Sequence, residues 1–368
     1  MMESGNPMNR FTTLWRGADP GLRRRLVITY SFLILFNIAV WAALVVAGLT
    51  YPILFGLAVI AYGFGLRHAV DPDHIAAIDN TTRKLMQDGK KPVGVGLFFS
   101  LGHSTVVFAL SLLVVISSGY VNRHLTSWKS VGTIIGTSVS GVFLVVIAAI
   151  NLIVFLDIYK TWRGVVKGGT YDDKSLDDYL NNRGLLARLF KPMLKVVSNS
   201  WNMYPIGLLF GLGFDTASEV GLLGITASTA NLAHPLPPIL ILLLPLLFVA
   251  GMSLADTTDG VAMLGAYGWA FVRPVRKLYY NMNITLISVV VALLIGGLEL
   301  MQVLIQETSA SGGIWTFLGA LDISNMGFVI VGIFLLSWIG SVGYYKWRKI
   351  DQMDEQLPKT PGYAGAAE

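Results

Sequence analysis

Apolar residues recur along this chain in runs too long for the elements of a water-soluble core. A helix crossing the hydrocarbon of a bilayer needs roughly 20 mostly apolar residues. Eight segments meet or approach that length: Leu26–Gly48, Ile53–Asp71, Val93–Gly119, Val131–Leu156, Tyr204–Ala227, Pro238–Leu264, Asn281–Leu304 and Ile323–Tyr345. The first, fourth and eighth carry no charge, whereas the others contain His, Asp, Glu or Arg. The pattern predicts an all-α, polytopic membrane protein with eight transmembrane helices.

Charge placement sets the expected orientation. With the N-terminus on the cytosolic side, 24 of the 27 Lys and Arg residues fall in cytosolic segments. Only Arg123 and Lys129 fall outside, and Arg67 lies within a span. Cytoplasmic loops carry the excess of Lys and Arg, and one helix more or fewer would invert every later loop. Both termini are therefore expected in the cytoplasm. The expected division is a cytosolic segment 1–25, helices one to four in 26–156, a cytosolic loop 157–203, helices five to eight in 204–345, and a cytosolic tail 346–368.

Composition agrees. Of 368 residues, 54% are hydrophobic and 13% charged, against about 25% charged in soluble domains. Cysteine is absent, which excludes a thiolate metal site, an iron–sulfur cluster, a cysteine nucleophile and disulfides. The first apolar run exceeds the ~7–15 residues of a signal-peptide core, so it is read as a retained span.

Ionisable groups inside a span cost at least about 2.5–3.5 kcal/mol each, so their positions carry the chemistry. Arg67-His68-Ala69-Val70-Asp71-Pro72-Asp73-His74 closes the second span with two imidazoles and two carboxylates. On a continuous helix, His68, Asp71 and His74 step by three and share one arc, while Asp73 points elsewhere. Pro72 argues against continuity, because it lacks an N–H and disfavours helical geometry at Asp71. Asp-Pro-Asp also reads as an N-cap with Pro at the first helical position, so a second short helix starting at Pro72 is expected. The alternative is a set of capping residues that pair with Arg67, but two His with two Asp exceed what capping requires.

Three more clusters follow. His103 and Ser104 lie within the third span, where they serve either as ligands or as packing residues hydrogen-bonded between helices. Asp215 and Glu219 are spaced i, i+4 in the fifth span, and Asp256 and Asp259 stand near the inner end of the sixth. These acids suit ion attraction, proton coupling or a second metal position, and equally well helix–helix hydrogen bonding. Asn151 in the fourth span is a further path-lining candidate.

Imidazole nitrogen with carboxylate oxygen, and no thiolate, favours a borderline divalent transition metal. Ligands must be deprotonated to bind, so affinity is expected to fall below about pH 6. No phosphate-binding G-x-x-x-x-G-K-[ST] loop is present. An interior-negative potential favours entry of a dication by about 4.6 kcal/mol per 100 mV, so the potential alone can drive uptake.

At these residues the chain resembles the NiCoT family of nickel/cobalt transporters. The resemblance rests on RHAVDPDHI at Arg67–Ile75, FSLGHSTVV at Phe99–Val107, LGFDTASE at Leu212–Glu219 and GMSLADTTD at Gly251–Asp259. Pro72 stands where the family usually has Ala, and Ser218 where it usually has Thr. The resemblance implies eight spans and high-affinity uptake of Ni²⁺ or Co²⁺ by a multi-pass protein of a bacterial cytoplasmic (inner) membrane. It implies His68, Asp71, Asp73 and His74 as metal-handling residues, with His103 acting with them. Arg67, Ser104, Asn151, Asp215, Glu219, Asp256 and Asp259 are then the translocation-path candidates. The expected partners are the transported ion and the lipid bilayer, with no permanently bound cofactor and no nucleic acid. The rival readings are an intramembrane zinc metallohydrolase, which lacks the H-E-x-x-H pattern here, and a metal-binding membrane subunit that does not transport.

A faint internal repeat accompanies the motifs. Phe64-Gly65-Leu66 echoes Phe210-Gly211-Leu212, and Gly102-x-Ser104 echoes Gly251-x-Ser253. The second and fifth spans run in opposite senses, so the halves would be inverted, as in many secondary transporters.

Overall fold

In the computed structural model of the protein, the described residues are 19–116, 118–166, 197–212, 217–230, 236–270, 274–321 and 326–347. They form helices α1 (Pro20–Thr50), α2 (Ile53–His68), α3 (Pro72–Gln87), α4 (Val95–Ile116), α5 (Ser118–Val166), α6 (Met203–Phe210) and α7 (Ala217–Ala230). Then follow α8 (Pro238–Ile241), α9 (Leu243–Ala270), α10 (Pro274–Thr308), α11 (Ile314–Gly319) and α12 (Met326–Trp347). The described residues are all-helical in architecture. Among them, five helices or helix segments are long and apolar enough to cross a membrane, and six if α2 and α3 count as one bent span. They coincide with the first, third, fourth, sixth and seventh expected spans, and the bent pair with the second. Shorter apolar helices, Gly221–Ala230 and Met326–Ser341, fall within the fifth and eighth.

The break at Pro72 is present. α2 ends at His68, Asp71 is extended (φ −65°, ψ 143°), and α3 restarts with Pro72 in its first turn. The two helices meet at 51°. Pro needs no donor at that position, so the bend leaves no hydrogen bond unmade at Pro72.

α3 is buried within the bundle. Its residues Arg83 and Lys84 were assigned to a cytosolic loop, yet they are 1% and 5% exposed. Almost every residue from Asp71 to Leu85 is buried, with α3 packed against α5, α9, α10 and α12. A polar helix therefore occupies the centre of the bundle. Meanwhile large apolar side chains such as Leu35, Val46, Leu294, Phe328 and Leu336 are exposed on α1, α10 and α12. Polar groups inside and apolar groups outside is the arrangement expected when the surrounding solvent is lipid.

Helix directions follow from the contacts. On α1 and α9, Tyr30 meets Thr258 and Asn37 meets Ala250, so these helices are antiparallel. On α4 and α6, Phe99 meets Gly207 and His103 meets Gly211, so these run parallel. On α5 and α10, Gly141 meets Gly296 and Trp162 meets Tyr279, again antiparallel.

The internal repeat is real in three dimensions, but its register differs from the one read in the sequence. A Cβ on Gly65 would overlap the Phe248 carbonyl, and one on Gly251 would press on Tyr62 O and Leu66 N. Likewise a Cβ on Gly207 would overlap the Phe99 carbonyl, and one on Gly102 would overlap Tyr204 O and press on Leu208 N. The equivalent strings are thus Tyr62-x-x-Gly65-Leu66 with Tyr204-x-x-Gly207-Leu208, and Phe99-x-x-Gly102-x-Ser104 with Phe248-x-x-Gly251-x-Ser253. The Phe-Gly-Leu match was one helical turn too far along. α2·α9 and α6·α4 are two copies of one backbone-close helix pair, a contact that only residues without a side chain permit.

Candidate metal centre

Three buried imidazoles converge where α2 breaks. Among the described residues, one ring nitrogen from each of His68, His74 and His103 lies within 4.8 Å of the others. His68 is the last residue of α2, His74 sits in the first turn of α3, and His103 is mid-way along α4. The break brings the first two together, with ring centroids 4.6 Å apart. α2 and α4 are each packed on α9 rather than on one another, so α9 sets the distance from His68 to His103.

Each imidazole is held by a carboxylate. His68 Nδ1 is 2.8 Å from Asp71 Oδ2, and Asp71 Oδ1 accepts a 2.8 Å bond from Arg67 Nη1. Arg67 also donates to Ser218 Oγ at 3.0 Å, tying α2 to α7. Threonine at position 218 would offer the same hydroxyl, so this departure from the family pattern keeps the chemistry. His74 Nδ1 lies 3.4 Å from both oxygens of Asp256. His103 Nε2 lies 2.8 Å from Glu219 Oε1, and His68 Nε2 lies 3.8 Å from the same oxygen.

A carboxylate on Nδ1 fixes the tautomer and turns the Nε2 lone pair inward, the outer-sphere arrangement of metal-binding histidines. His74 Nε2 has no hydrogen-bond partner although it is buried. Leaving a buried polar atom unsatisfied costs about 1–3 kcal/mol, so folding alone does not account for it. His68 Nε2 and His103 Nε2 approach to 2.9 Å. Two nitrogens at about 2.1 Å from a shared ion and about 90° apart have that separation, as in square-planar or octahedral coordination.

Two phenylalanines close the centre. Phe99 packs edge-on against His74 at 4.7 Å, and Phe248 packs against His68 at 5.4 Å. Both are wholly buried, and they are the equivalent first residues of the repeated Phe-x-x-Gly-x-Ser string. Sequence reasoning missed them, although the spacing was visible.

The remaining candidates separate. Ser104 is buried beside His103, its hydroxyl without a partner. Asp73 is only partly buried and accepts the backbone N–H of His74 at 2.9 Å, a local cap. Asn151 sits away from the imidazoles, where its Nδ2 donates to Asn80 Oδ1 at 2.6 Å. Asp259 is on α9 one turn beyond Asp256, with Oδ2 buried and unpartnered. Asp215 and the rest of 213–216 lie outside the described residues, as do most of the expected cytosolic loop and the expected terminal segments. Asp79, Arg83 and Ser288 form a buried group that the sequence reading did not single out.

This centre lies within the part of the chain that a family profile matches. The profile described as NicO, high-affinity nickel-transport protein, matches residues 54–343. The chain belongs to this family. It is 47% identical over 334 residues to the high-affinity nickel transport protein of Cupriavidus necator, covering 90% of this chain and 95% of that one. It is 43% identical over 321 residues to the nickel transporter NixA of Staphylococcus aureus, covering 87% and 94%. It is 40% identical over 296 residues to the cobalt transport protein NhlF of Rhodococcus rhodochrous, covering 78% and 82%. No solved structure matches the chain. The family is one of transporters, which sets the metallohydrolase reading aside.

Proposed function

We propose that this protein is a high-affinity secondary transporter that takes up Ni²⁺ or Co²⁺ across a bacterial cytoplasmic membrane, using His68, His74 and His103 as the ion's ligands. The observation that carries this reading is the convergence of three buried imidazoles, two of them oriented by carboxylates, at a break inside a membrane helix. Discontinuous helices present ligands to ions in many secondary transporters. Asp71, Asp256 and Glu219 act around the imidazoles as orienting groups. Arg67 neutralises Asp71, and Ser104 and Asp259 line the route, with Asp215 continuing it through the fifth span. Asp73 draws the ion electrostatically and Asn151 contacts it further along. No cofactor is held permanently.

The topology proposed with it has eight spans and both termini in the cytoplasm, divided at 1–25, 26–156, 157–203, 204–345 and 346–368. Alternating spans require the first and sixth to be antiparallel, the third and fifth parallel, and the fourth and seventh antiparallel. The contacts of α1 with α9, α4 with α6 and α5 with α10 have those senses. Relatives named for nickel and for cobalt support both ions as substrates, and the borderline N/O donor set accepts either.

The test is ⁶³Ni²⁺ uptake into proteoliposomes with an imposed interior-negative potential and no nucleotide. Accumulation that follows the potential, and that unlabelled Co²⁺ suppresses, supports the proposal. Binding without accumulation would favour a non-transporting metal-binding subunit.

A further inference from the structure

Away from the imidazoles, a cavity of about 420 Å³ lies beside α5, within the range of sites that hold small molecules. Val139, Val142, Phe143, Val146, Ile147 and Ile150 line it, spaced by threes and fours along one face of the helix. Val142 is 52% exposed, so the cavity opens on the lipid-facing surface of the bundle. Apart from Ser138, its polar lining is Lys84 of α3. Asn80 of α3 meets Asn151 of α5, while His74 leads through Phe99 and Phe210 to Phe143. α3 and α5 therefore run in the same sense, and Lys84 lies past Ile150 at one end of the stripe. Lys84 Nζ donates to Val197 O at 2.6 Å and to Asp88 Oδ2 at 3.1 Å. Lys90 Nζ donates to the next carbonyl, Ser198 O. Two ammonium groups thus stand on consecutive carbonyls, with one carboxylate, Asp88, ion-paired to them, so this end of the cavity is net positive.

From Ser138 to Ile150 the stripe spans about 18 Å of helix. That is close to the depth of one leaflet, half of a hydrocarbon core about 30 Å thick. In the eight-span topology, on which this inference rests, the positive end faces the cytoplasm. We infer that the cavity holds one acyl chain of an anionic phospholipid from the cytosolic leaflet, with its headgroup at Lys84 and Lys90. Basic pockets between spans on the cytoplasmic side bind such headgroups. An ammonium has three donors, and the contacts of Lys84 among the described residues use two of them, which leaves one for a phosphate oxygen. The chain also bears on the metal centre. Phe143 packs edge-on against Phe210 at 5.7 Å, Phe210 against Phe99 at 5.2 Å, and Phe99 against His74 at 4.7 Å. A lipid tail in the cavity backs this row of rings and holds His74 in place, whereas an empty slot lets the row slacken.

The test is native mass spectrometry of the purified full chain after reconstitution in mixed phosphatidylglycerol and phosphatidylcholine. The wild type is expected to retain one phosphatidylglycerol per chain. Val146→Trp fills the cavity and is expected to lose that lipid while ⁶³Ni²⁺ binding at the imidazoles persists. Should Val146→Trp fail to fold, Val142→Trp, at the exposed rim, takes its place. Lys84→Gln keeps a donor for Val197 O and removes the charge, so the preference for phosphatidylglycerol over phosphatidylcholine should fall about fivefold. Should Lys84→Gln fail to fold, Lys90→Gln, at an exposed position, is read in the same way. A wild type that retains no lipid, as when another part of the chain fills the cavity, overturns the inference, as does equal retention by the tryptophan variants. An unchanged lipid preference overturns the headgroup assignment. Lipid retention is read without transport, so its failure leaves the nickel reading standing, and a wild type that fails to accumulate ⁶³Ni²⁺ leaves the lipid count readable.

Discussion

His68 Nε2 and His103 Nε2 face each other at 2.9 Å across two helices and 35 positions of sequence. With Asp71 on the opposite nitrogen of His68, the His68 lone pair points at this contact, while His103 Nε2 also meets Glu219 Oε1 at 2.8 Å. Replacing His68, His74 or His103 by Ala is therefore expected to abolish ⁶³Ni²⁺ uptake while membrane levels of the protein stay near normal. Loss of protein from the membrane in all three variants would show that the imidazoles are structural.

Asp256 touches His74 only through Nδ1. Asp256→Asn should leave the imidazole in place but weaken its orientation and basicity, lowering metal affinity by about 10–100-fold. Isothermal titration with Ni²⁺ measures this, and an unchanged Kd would mean that the 3.4 Å contact orients nothing.

The glycine contacts make a sharper structural test. Gly65→Ala and Gly207→Ala each put a methyl group into a neighbouring helix backbone, where overpacking costs about 1–3 kcal/mol. Gly224 on α7 has open space around it, so Gly224→Ala should be neutral or stabilising by up to about 1 kcal/mol. Thermal unfolding in detergent ranks the three, and equal Tm values would deny the close pairing.

Pro72 is expected to be replaceable. Its missing N–H falls in the first turn of α3, where no intrahelical partner is required. Pro72→Ala should keep uptake and lose at most about 1 kcal/mol of stability through greater freedom of the unfolded chain. Loss of uptake with normal protein levels would show that proline itself holds the bend.

What could be read before the structure depended on how far each signal reached along the chain. The restart at Pro72 was legible because Asp-Pro-Asp is a local cap signature. The grouping of His68 with His74 followed from the same seven residues. The burial of Arg83 was not legible because it depends on Ser288, 205 positions away, and a count of positive charges treats any Arg beyond a span as solvated. Phe99 and Phe248 were overlooked because they look like ordinary span residues. Only their seats on His74 and His68 distinguish them. The repeat was seen one turn out of register, since a three-residue match cannot choose between Gly207 and Gly211, whereas a carbonyl pressed against a glycine can.

The backbone-close pairing of α2 with α9 and of α4 with α6 also bears on how metal preference can change. With main chains already in contact at Gly65 and Gly207, the scaffold has no slack by which the cage could be widened or narrowed. Tuning between nickel and cobalt is thus left to the side chains that rim the three rings, so an altered preference should arise at positions such as Phe99, Phe248 or Ser104 while the helices keep their places.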